Sequence, residues 1–184
     1  MERELLSFIL DALKSVKDTS IGEGNFGIVI DRFPSKALNE VCAKYHKFGY
    51  NPNEYQVLTQ AFMSGLPVPA PMGEWPEHRV FAMKRVIGKT LEELDEQGLV
   101  FSEDMAEEIM DAVHSVCKVI RHNDLFPRNV MIEDVEIVDG VVVDAVVYVI
   151  DFGQSVMKLP DNNVSETVPL LSWLNRRVAR KAVV

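Results

Sequence analysis

The sequence predicts an α+β fold, and three observations support this prediction. A glycine-rich, β-branched segment at 21–30 is typical of strands joined by a turn. Asp139-Gly140 lies between two runs rich in valine and isoleucine, which is a strong hairpin signal. Before both of these, apolar residues at helical spacing open the chain: Leu5, Leu6, Ile9, Leu13 and Val16. The length of 184 residues suits one domain, or two small lobes that share a cleft.

Further elements follow the glycine-rich segment. A short strand is predicted to end at Lys44. A helix is predicted to begin at Asn51-Pro52, because proline is favoured at the first helical position, and to end near Ser64-Gly65. The next segments are an extended connector at 67–71, a strand at 80–86 and a short acidic helix at 91–97.

Two more helices are predicted in the second half of the chain. Ser102 is a good N-cap, and Glu103 and Asp104 favour the first turn through the helix dipole. The core stripe of this helix comprises Met105, Ile109, Val113, Val116 and Ile120. The last helix is predicted over 167–182, with four basic residues near its end: Arg176, Arg177, Arg180 and Lys181.

Charge and composition exclude several classes of function. The formal net charge of −9 argues against a nucleic-acid binder, which needs a basic face. No apolar run reaches about 18 residues, so no membrane association is predicted. Glu2 and Glu4 open the N-terminus, which is therefore no secretory signal. Cys42 and Cys117 lie far apart in apolar runs, which predicts buried thiols and a cytoplasmic location.

Glycines lie between the first two β segments, at Gly22, Gly24 and Gly27. Glycine lets backbone N–H groups approach phosphates closely, and Val29 would offer an apolar surface to a purine. A dinucleotide-binding motif would open a helix at its last glycine, whereas the run 28–30 continues as a strand. Alone, such a motif is equally a plain turn.

Lys44 and Glu54 form the next candidate pair. Glu54 is the one acidic residue between Glu40 and Glu74, and it lies on the helix that follows the lysine. We expect it to pair with Lys44 and to aim the ammonium at phosphates. The alternatives are a lysine that extends from a sheet edge into solvent and a solvated helix charge.

A polar loop directly follows the long helix, with His122, Asp124 and Asn129 in the pattern His-x-Asp-x-x-x-x-Asn. Asp124 can orient a hydroxyl or accept its proton, and Asn129 offers a carbonyl oxygen to a hard cation. The predicted hairpin returns Asp151 beside Asn129, and this pair suits a divalent ion whose remaining ligands are phosphates and water. Gly153 permits a sharp turn after Asp151. A polar turn is the alternative for the loop by itself.

Taken in this order, the motifs resemble those of the protein-kinase-like family: Gly22–Val29, Val41–Lys44, Glu54, His122–Asn129 and Asp151–Gly153. The resemblance covers residues 20 to about 157. It implies a bilobal fold, with a five-stranded N-lobe sheet and one helix above a truncated, mostly helical C-lobe. The implied boundaries are an N-terminal helix at 1–18, an N-lobe at about 19–84, a hinge at about 84–88 and a C-lobe at about 89–184.

The same resemblance implies ATP and Mg²⁺ as cofactors and assigns roles to residues. Asn129 and Asp151 would bind the metal, and Met83 would be the gatekeeper, with backbone groups near Lys84 and Val86 binding adenine. The implied catalytic residues are Asp124, Lys44, Glu54 and Arg128. The implied ATP-binding residues are Gly22, Gly24, Gly27, Val29, Ala43, Lys44, Met83, Lys84 and Val86.

The sequence departs from the family pattern in several places. Asn123 stands where many protein kinases have the arginine that reads a phosphorylated activation loop, so we expect activity without that phosphorylation. Phe126 stands where Ser/Thr kinases usually have lysine, and Arg128 is expected to supply the missing cation to the γ-phosphate, as the equivalent arginine does in tyrosine kinases. After Gly153 there are 31 residues and no Ala-Pro-Glu motif.

This truncation resembles RIO-type atypical kinases and the minimal kinases that some bacterial pathogens deliver into host cells, and the run 150–156 is particularly RIO-like. The long hairpin between Asn129 and Asp151 is interpreted as a lineage insertion without catalytic weight. The expected function is a Ser/Thr-type protein kinase with a protein substrate, and an activating protein partner is left open. The alternatives are a small-molecule kinase of the aminoglycoside-phosphotransferase type and a nucleotide-binding pseudokinase or ATPase-like scaffold.

Overall fold

The computed structural model describes residues 2–14, 20–23, 27–31, 38–157 and 165–179. An antiparallel five-stranded sheet forms the first part of the chain, in the order β1-β2-β3-β5-β4. Its strands are β1 (Ser20–Glu23), β2 (Gly27–Ile30), β3 (Val41–His46), β4 (Pro71–Trp75) and β5 (Val80–Lys84). The predicted connector at 67–71 therefore leads into a strand, and the predicted strand at 80–86 ends at Lys84.

Two helices cover opposite faces of this sheet. Helix α1 (Glu2–Leu13) packs Leu5 and Ile9 against a core that includes Ala43 and Ala82. Helix α2 (Pro52–Met63) packs Val57 and Leu58 into the main core together with Phe81. The sheet serves both helices because successive side chains of a strand point to opposite faces.

The second part of the chain combines helices with a second sheet. Its elements are β6 (Gly88–Thr90), α3 (Leu91–Glu96), β7 (Val100–Phe101), α4 (Glu103–Val119), β8 (Ile120–Arg121), β9 (Val130–Val138), β10 (Val141–Val149), β11 (Val156–Met157) and α5 (Val168–Asn175). A four-stranded sheet has the order β6-β9-β10-β7, and β8 pairs with β11. Four residues of the predicted stripe lie on α4 and are fully buried, which confirms its orientation: Met105, Ile109, Val113 and Val116. The fifth, Ile120, is also buried, but it begins β8 directly after the helix ends.

The β9–β10 hairpin turns at Asp139 and Gly140, as the sequence predicts. Both residues have positive φ, 51° and 79°, which a two-residue type I′ turn requires. The hairpin does not stand alone, because β6 pairs with β9 and β7 pairs with β10. The sequence analysis did not anticipate these two additional strands.

The last helix is shorter than predicted, because it ends at Asn175. Beyond it, Phe101 exchanges backbone hydrogen bonds with Arg177 and Ala179, so the chain pairs with β7 instead of continuing as a helix. The Arg177 guanidinium also donates two hydrogen bonds of 2.5 Å to the carboxylate of Asp95. These bonds compete with further helical turns. The predicted basic residues 180 and 181 lie outside the described residues.

None of the helices in the described ranges combines the length and the hydrophobicity that a bilayer crossing requires.

Candidate nucleotide-binding and catalytic site

A cavity of about 790 Å³ lies between the five-stranded sheet and the second part of the chain. Both parts contribute to its walls, β2, β3 and β5 from one side and the loop at 124–129 from the other. Most residues that the sequence assigned to a site line it: Gly27, Val29, Lys44, Glu54, Met83, Lys84, Val86, Asp124, Arg128, Asn129 and Asp151.

One of the predicted ATP-binding residues, Ala43, does not line this cavity. Gly22 pairs with Val29 across β1 and β2, and Gly24 lies outside the described residues. Ala43 is fully buried against α1 on the opposite face of the sheet. The adjacent Cys42 lines the cavity instead, because it lies two positions from Lys44 and therefore shares its face of β3.

Lys44 stands at the centre of the site. Its Nζ lies 2.6 Å from Oε1 of Glu54 and 2.6 Å from Oδ1 of Asp151. Burial by itself would lower the pKa of Lys44, but the two carboxylates outweigh burial and raise that pKa above its usual value. Burial likewise opposes ionisation of Asp151, yet Lys44 holds the pKa of Asp151 below its usual value. Lys44 and Asp151 are therefore both charged at neutral pH.

His46 is a site residue that the sequence analysis missed. Its Nδ1 accepts the backbone N–H of Asn51 at 3.1 Å, so Nε2 must carry the proton that it shares with Oε2 of Glu54 at 2.9 Å. The Glu54 carboxylate thus accepts a hydrogen bond from Lys44 on one oxygen and one from His46 on the other. The signal was present in the sequence, because positions 44 and 46 share one face of β3.

The loop around Asp124 holds this carboxylate by both oxygens. Arg128 donates to Oδ1 at 2.9 Å, and the Asn129 amide donates to Oδ2 at 3.0 Å. The Arg128 guanidinium also stacks on the ring of Phe126, with 4.4 Å to the centroid. The side chain of Asp124 is 18% exposed, so it faces the cavity in a fixed orientation.

Asn129 and Asp151 lie side by side because Ile150 donates its N–H to the carbonyl of Asn129 at 2.9 Å. The Asn129 Nδ2 donates both to the backbone carbonyl and to the carboxylate of Asp124, which orients Oδ1 as an acceptor. A Cβ at Gly153 would stand 3.3 Å from Oδ1 of Asp151 and 3.6 Å from Nζ of Lys44. Glycine therefore keeps the space beside these groups open. These oxygen donors fit Mg²⁺, which binds few protein ligands and completes its octahedron with phosphate and water.

The segment after Asp151 is tied to both neighbouring elements. At the start of α2, Asn51 donates to the carbonyl of Gly153 at 3.2 Å and Asn53 donates to that of Ser155 at 2.6 Å. From the other side, Asn123 donates to the carbonyl of Gln154 at 2.8 Å. These bonds hold the segment 153–155 by neutral side chains.

Glu166 is a second residue that sequence reasoning missed. Its Oε2 accepts the backbone N–H groups of His122 and Asn123 at 3.1 and 3.3 Å. Asn123 itself has a φ of 63°, a left-handed conformation that asparagine tolerates better than most residues. Glu166 thus supports the turn that presents Asp124. No local pattern could have indicated this contact, because the partners lie 44 and 43 residues apart.

The predicted hinge is held by backbone hydrogen bonds. Lys84 donates its N–H to the carbonyl of Ala70 at 2.7 Å, and Arg85 donates its N–H to that of Glu40 at 2.7 Å. Within the part of the chain that the structure describes, Val86 makes no hydrogen bond through its N–H. Val86 lines the cavity, so its N–H is available there to a ligand.

No protein-family model matches this sequence, and a search of curated proteins found no match. Among solved structures, the chain is similar to two of the Rio2 kinase from Chaetomium thermophilum, one of them an ADP/Mg²⁺-phosphoaspartate complex. Their TM-scores are 0.63 and 0.60 at 15% identity, over 94% and 95% of this chain. WaaP in complex with acyl carrier protein is also similar, with a TM-score of 0.51 and 14% identity over 79% of this chain.

These similarities show that the chain has a bilobal protein-kinase-like fold, with a β-rich first lobe. The chain spans 61% and 62% of the length of the two Rio2 chains and 66% of that of WaaP. At these identities the similarity concerns the fold alone.

Proposed function

We propose that this protein is an ATP- and Mg²⁺-dependent protein kinase of the Ser/Thr type, in which the cavity between the lobes is the active site. The observation that supports this most is the position of Lys44, which bonds to both Glu54 and Asp151 in a cavity that Asp124 and Asn129 also line. A cation placed between two carboxylates beside a metal-type donor pair suits phosphate binding and phosphoryl transfer.

In this proposal the side chains divide the work. Lys44, held by Glu54, orients the phosphates. Asn129 and Asp151 would bind Mg²⁺, which would neutralise the negative charge of the phosphates. Asp124 orients the acceptor hydroxyl and takes its proton as the new O–P bond forms and the bond to ADP breaks. Arg128 is close enough to Asp124 to add a positive charge at the transferred group.

The base would bind at the hinge, between Met83 and Val86. The proposal keeps the boundaries that the resemblance implied: an N-terminal segment at 1–18, in which the described helix α1 spans Glu2–Leu13, a first lobe at about 19–84, a hinge at about 84–88 and a second lobe at about 89–184. Neutral side chains hold the segment 153–155, which supports activity without a phosphorylated activation loop. The two buried free thiols support a cytoplasmic location.

A protein is the proposed acceptor, and an activating protein partner is part of the proposal. The solved complex of WaaP with acyl carrier protein is one case in which a kinase-like fold associates with a second protein.

A second candidate function is ATP hydrolysis through a phosphorylated aspartate, which the Rio2 complex suggests. In this chain, Asp151 is the better acceptor of the two site aspartates. Its side chain is 46% exposed, whereas that of Asp124 is 18% exposed and has both oxygens engaged. The carboxylate would attack the γ-phosphorus, ADP would leave, and water would then release phosphate.

Transfer of label from γ-labelled ATP tests these functions together. The wild type is compared with Asp124→Ala, which should lower the rate by about 10²–10⁴, and with the exposed control Asp144→Asn, which should not. Label on the chain or on a generic protein that survives hydroxylamine supports the kinase. Hydroxylamine-sensitive label that disappears in Asp151→Asn supports the phosphoaspartate route. If ATP binds but no protein is labelled, a small-molecule acceptor, ATP hydrolysis or a required activating partner becomes the better interpretation, and release of phosphate identifies hydrolysis. If ATP does not bind, the proposed function is wrong.

A further inference from the structure

The hinge is part of the second sheet, and is no free linker. Strand β6 pairs with β9, with Gly88 opposite Glu133 and Thr90 opposite Met131. The approach is so close that a Cβ at Gly88 would stand 1.9 Å from the carbonyl oxygen of Ile132. The long hairpin, which the sequence analysis interpreted as an insertion without catalytic weight, is thus in direct contact with the chain that borders the cavity.

Glu133 makes the most specific of these contacts. Its Oε1 accepts the backbone N–H of Ile87 at 2.7 Å, and its Oε2 lies 3.6 Å from Nζ of Lys84. The side chain of Glu133 is only 12% exposed, although Ile87 itself is exposed. The Lys84 ammonium also lies over the ring of Tyr148 on β10, 5.6 Å from the centroid. Both strands of the hairpin therefore contact the hinge.

These contacts determine which hinge donors a ligand can use. Of the four N–H groups at 84–87, those of Lys84, Arg85 and Ile87 donate to protein oxygens. The N–H of Val86 is the one left over within the described residues. A donor at this place complements N1 of adenine, which is an acceptor, and opposes N1–H of guanine, which is a donor.

We propose that Glu133 is a positioning residue for base recognition: by engaging the N–H of Ile87, it sets the hinge so that Val86 alone donates, and thereby favours ATP over GTP. This inference rests on the proposed function, because it assumes that the cavity binds a purine nucleotide. It assigns a role to the hairpin, which would otherwise serve only the fold.

Removal of the Glu133 carboxylate should release the N–H of Ile87 and allow the hinge to bind a base in a second register. We therefore expect Glu133→Ala to weaken ATP binding about tenfold, the equivalent of one charged hydrogen bond's contribution, and to weaken GTP binding less. Glu133→Gln retains an acceptor oxygen and should keep most of the affinity and the base preference. Magnesium tripolyphosphate has no base, so Glu133→Ala should leave its affinity unchanged.

The experiment measures the Kd of MgATP, MgGTP and magnesium tripolyphosphate for the full chain by calorimetry, with Glu136→Ala as a matched control on an exposed position of the same strand. Amide hydrogen exchange of the ligand-free proteins supplies a second readout, in which Glu133→Ala should accelerate exchange at Ile87. The inference is supported if the Kd values of MgATP and MgGTP differ less in Glu133→Ala than in the wild type, while the Kd of magnesium tripolyphosphate is unchanged.

Two results would overturn it in distinguishable ways. If folded Glu133→Ala binds ATP and GTP with the wild-type ratio of dissociation constants, or if Ile87 exchanges in it as in the wild type, the inference alone is wrong. Should the alanine variant not fold, Glu133→Asp, whose side chain is one methylene shorter, takes its place in both measurements. A wild-type protein that binds neither nucleotide would remove the inference and the proposed function together.

Discussion

The Nε2 of His46 lies 2.9 Å from Oε2 of Glu54, whose other oxygen lies 2.6 Å from Nζ of Lys44. Glu54 is therefore held from both sides by neighbouring residues of one face of β3. His46 also accepts the N–H of Asn51, the residue that precedes α2. One imidazole thus connects the strand that carries Lys44 with the start of the helix that carries Glu54. This link makes His46 a positioning residue for the proposed transfer.

Replacement of His46 should therefore lower the rate of transfer without removing nucleotide binding. His46→Ala leaves Oε2 of Glu54 without its donor and the N–H of Asn51 without its acceptor, and we expect kcat to fall about tenfold. His46→Gln can still donate to Glu54 and should retain more activity. Label transfer from ATP measures both variants, with the more exposed His78→Ala as control. Wild-type kcat in a folded His46→Ala protein would refute this role.

Gly88 should be intolerant of any side chain. A Cβ there would overlap the carbonyl of Ile132, which belongs to the backbone of β9 and cannot rotate away. We expect Gly88→Ala to lower the free energy of unfolding by about 3 kcal/mol. Urea unfolding followed by circular dichroism measures this loss.

Gly140→Ala is the matched control for Gly88→Ala. Gly140 has a φ of 79°, and beyond its chain neighbours no atom lies within 4 Å of the place that an alanine Cβ would take. The substitution therefore strains the turn by about 1–2 kcal/mol without a clash. If Gly88→Ala costs no more than Gly140→Ala, the close approach of β6 to β9 is wrong.

His122 should make stability depend on pH below about 6.5. Burial lowers the pKa of His122 below its usual value and outweighs the hydrogen bond to the carbonyl of Ile150 and the nearby carboxylates. Between pH 6.5 and the lowered pKa, the unfolded chain binds more protons than the folded chain, so stability falls as pH falls. The slope is at most about 1.4 kcal/mol per pH unit. Above pH 6.5 the contribution of the neutral His122 to the free energy of unfolding is fully present and does not change with pH.

The test compares urea unfolding of the wild type and His122→Gln at a series of pH values. Glutamine can keep the bond to Ile150 and does not titrate, so the difference in stability between the two proteins should change below pH 6.5 and stay constant above it. A difference that is the same at every pH would show that His122 titrates alike in both states.

Cys42 should be unreactive although it lines the cavity. Burial, together with the nearby carboxylate of Asp31, raises the pKa of the thiol to about 12, and the opposing effect of Arg85 is smaller. The thiolate is the reactive form, so alkylation of Cys42 at pH 8 should be slower than that of a free thiol by about 10³. A Cys117→Ser protein isolates the reaction, which should become fast in urea. Rapid labelling of the native protein would contradict the buried position.

Much of the candidate site could be predicted from the sequence because its parts are local. The pattern from His122 to Asn129 is confined to one loop, and Asp151 follows a hairpin whose turn is marked by Asp139-Gly140. Once the hairpin forms, antiparallel pairing alone places Asp151 beside Asn129. The prediction that Ala43 binds ATP was wrong, and the alternation of side chains along a strand could have corrected it. A strand that directs Lys44 into the cavity directs Cys42 there as well, and Ala43 to the opposite face.

The sequence by itself thus determined the class of fold, the order of the charged and polar groups, and the hairpin that brings two of them together. Tertiary structure alone decided the contacts between distant segments. Glu133 accepts a hydrogen bond from Ile87, which is 46 residues away in the sequence, and Glu166 accepts one from His122, which is 44 residues away. Periodicity and turn residues describe neighbours along the chain, whereas these bonds depend on how sheets and helices pack, which relates residues that share no local pattern.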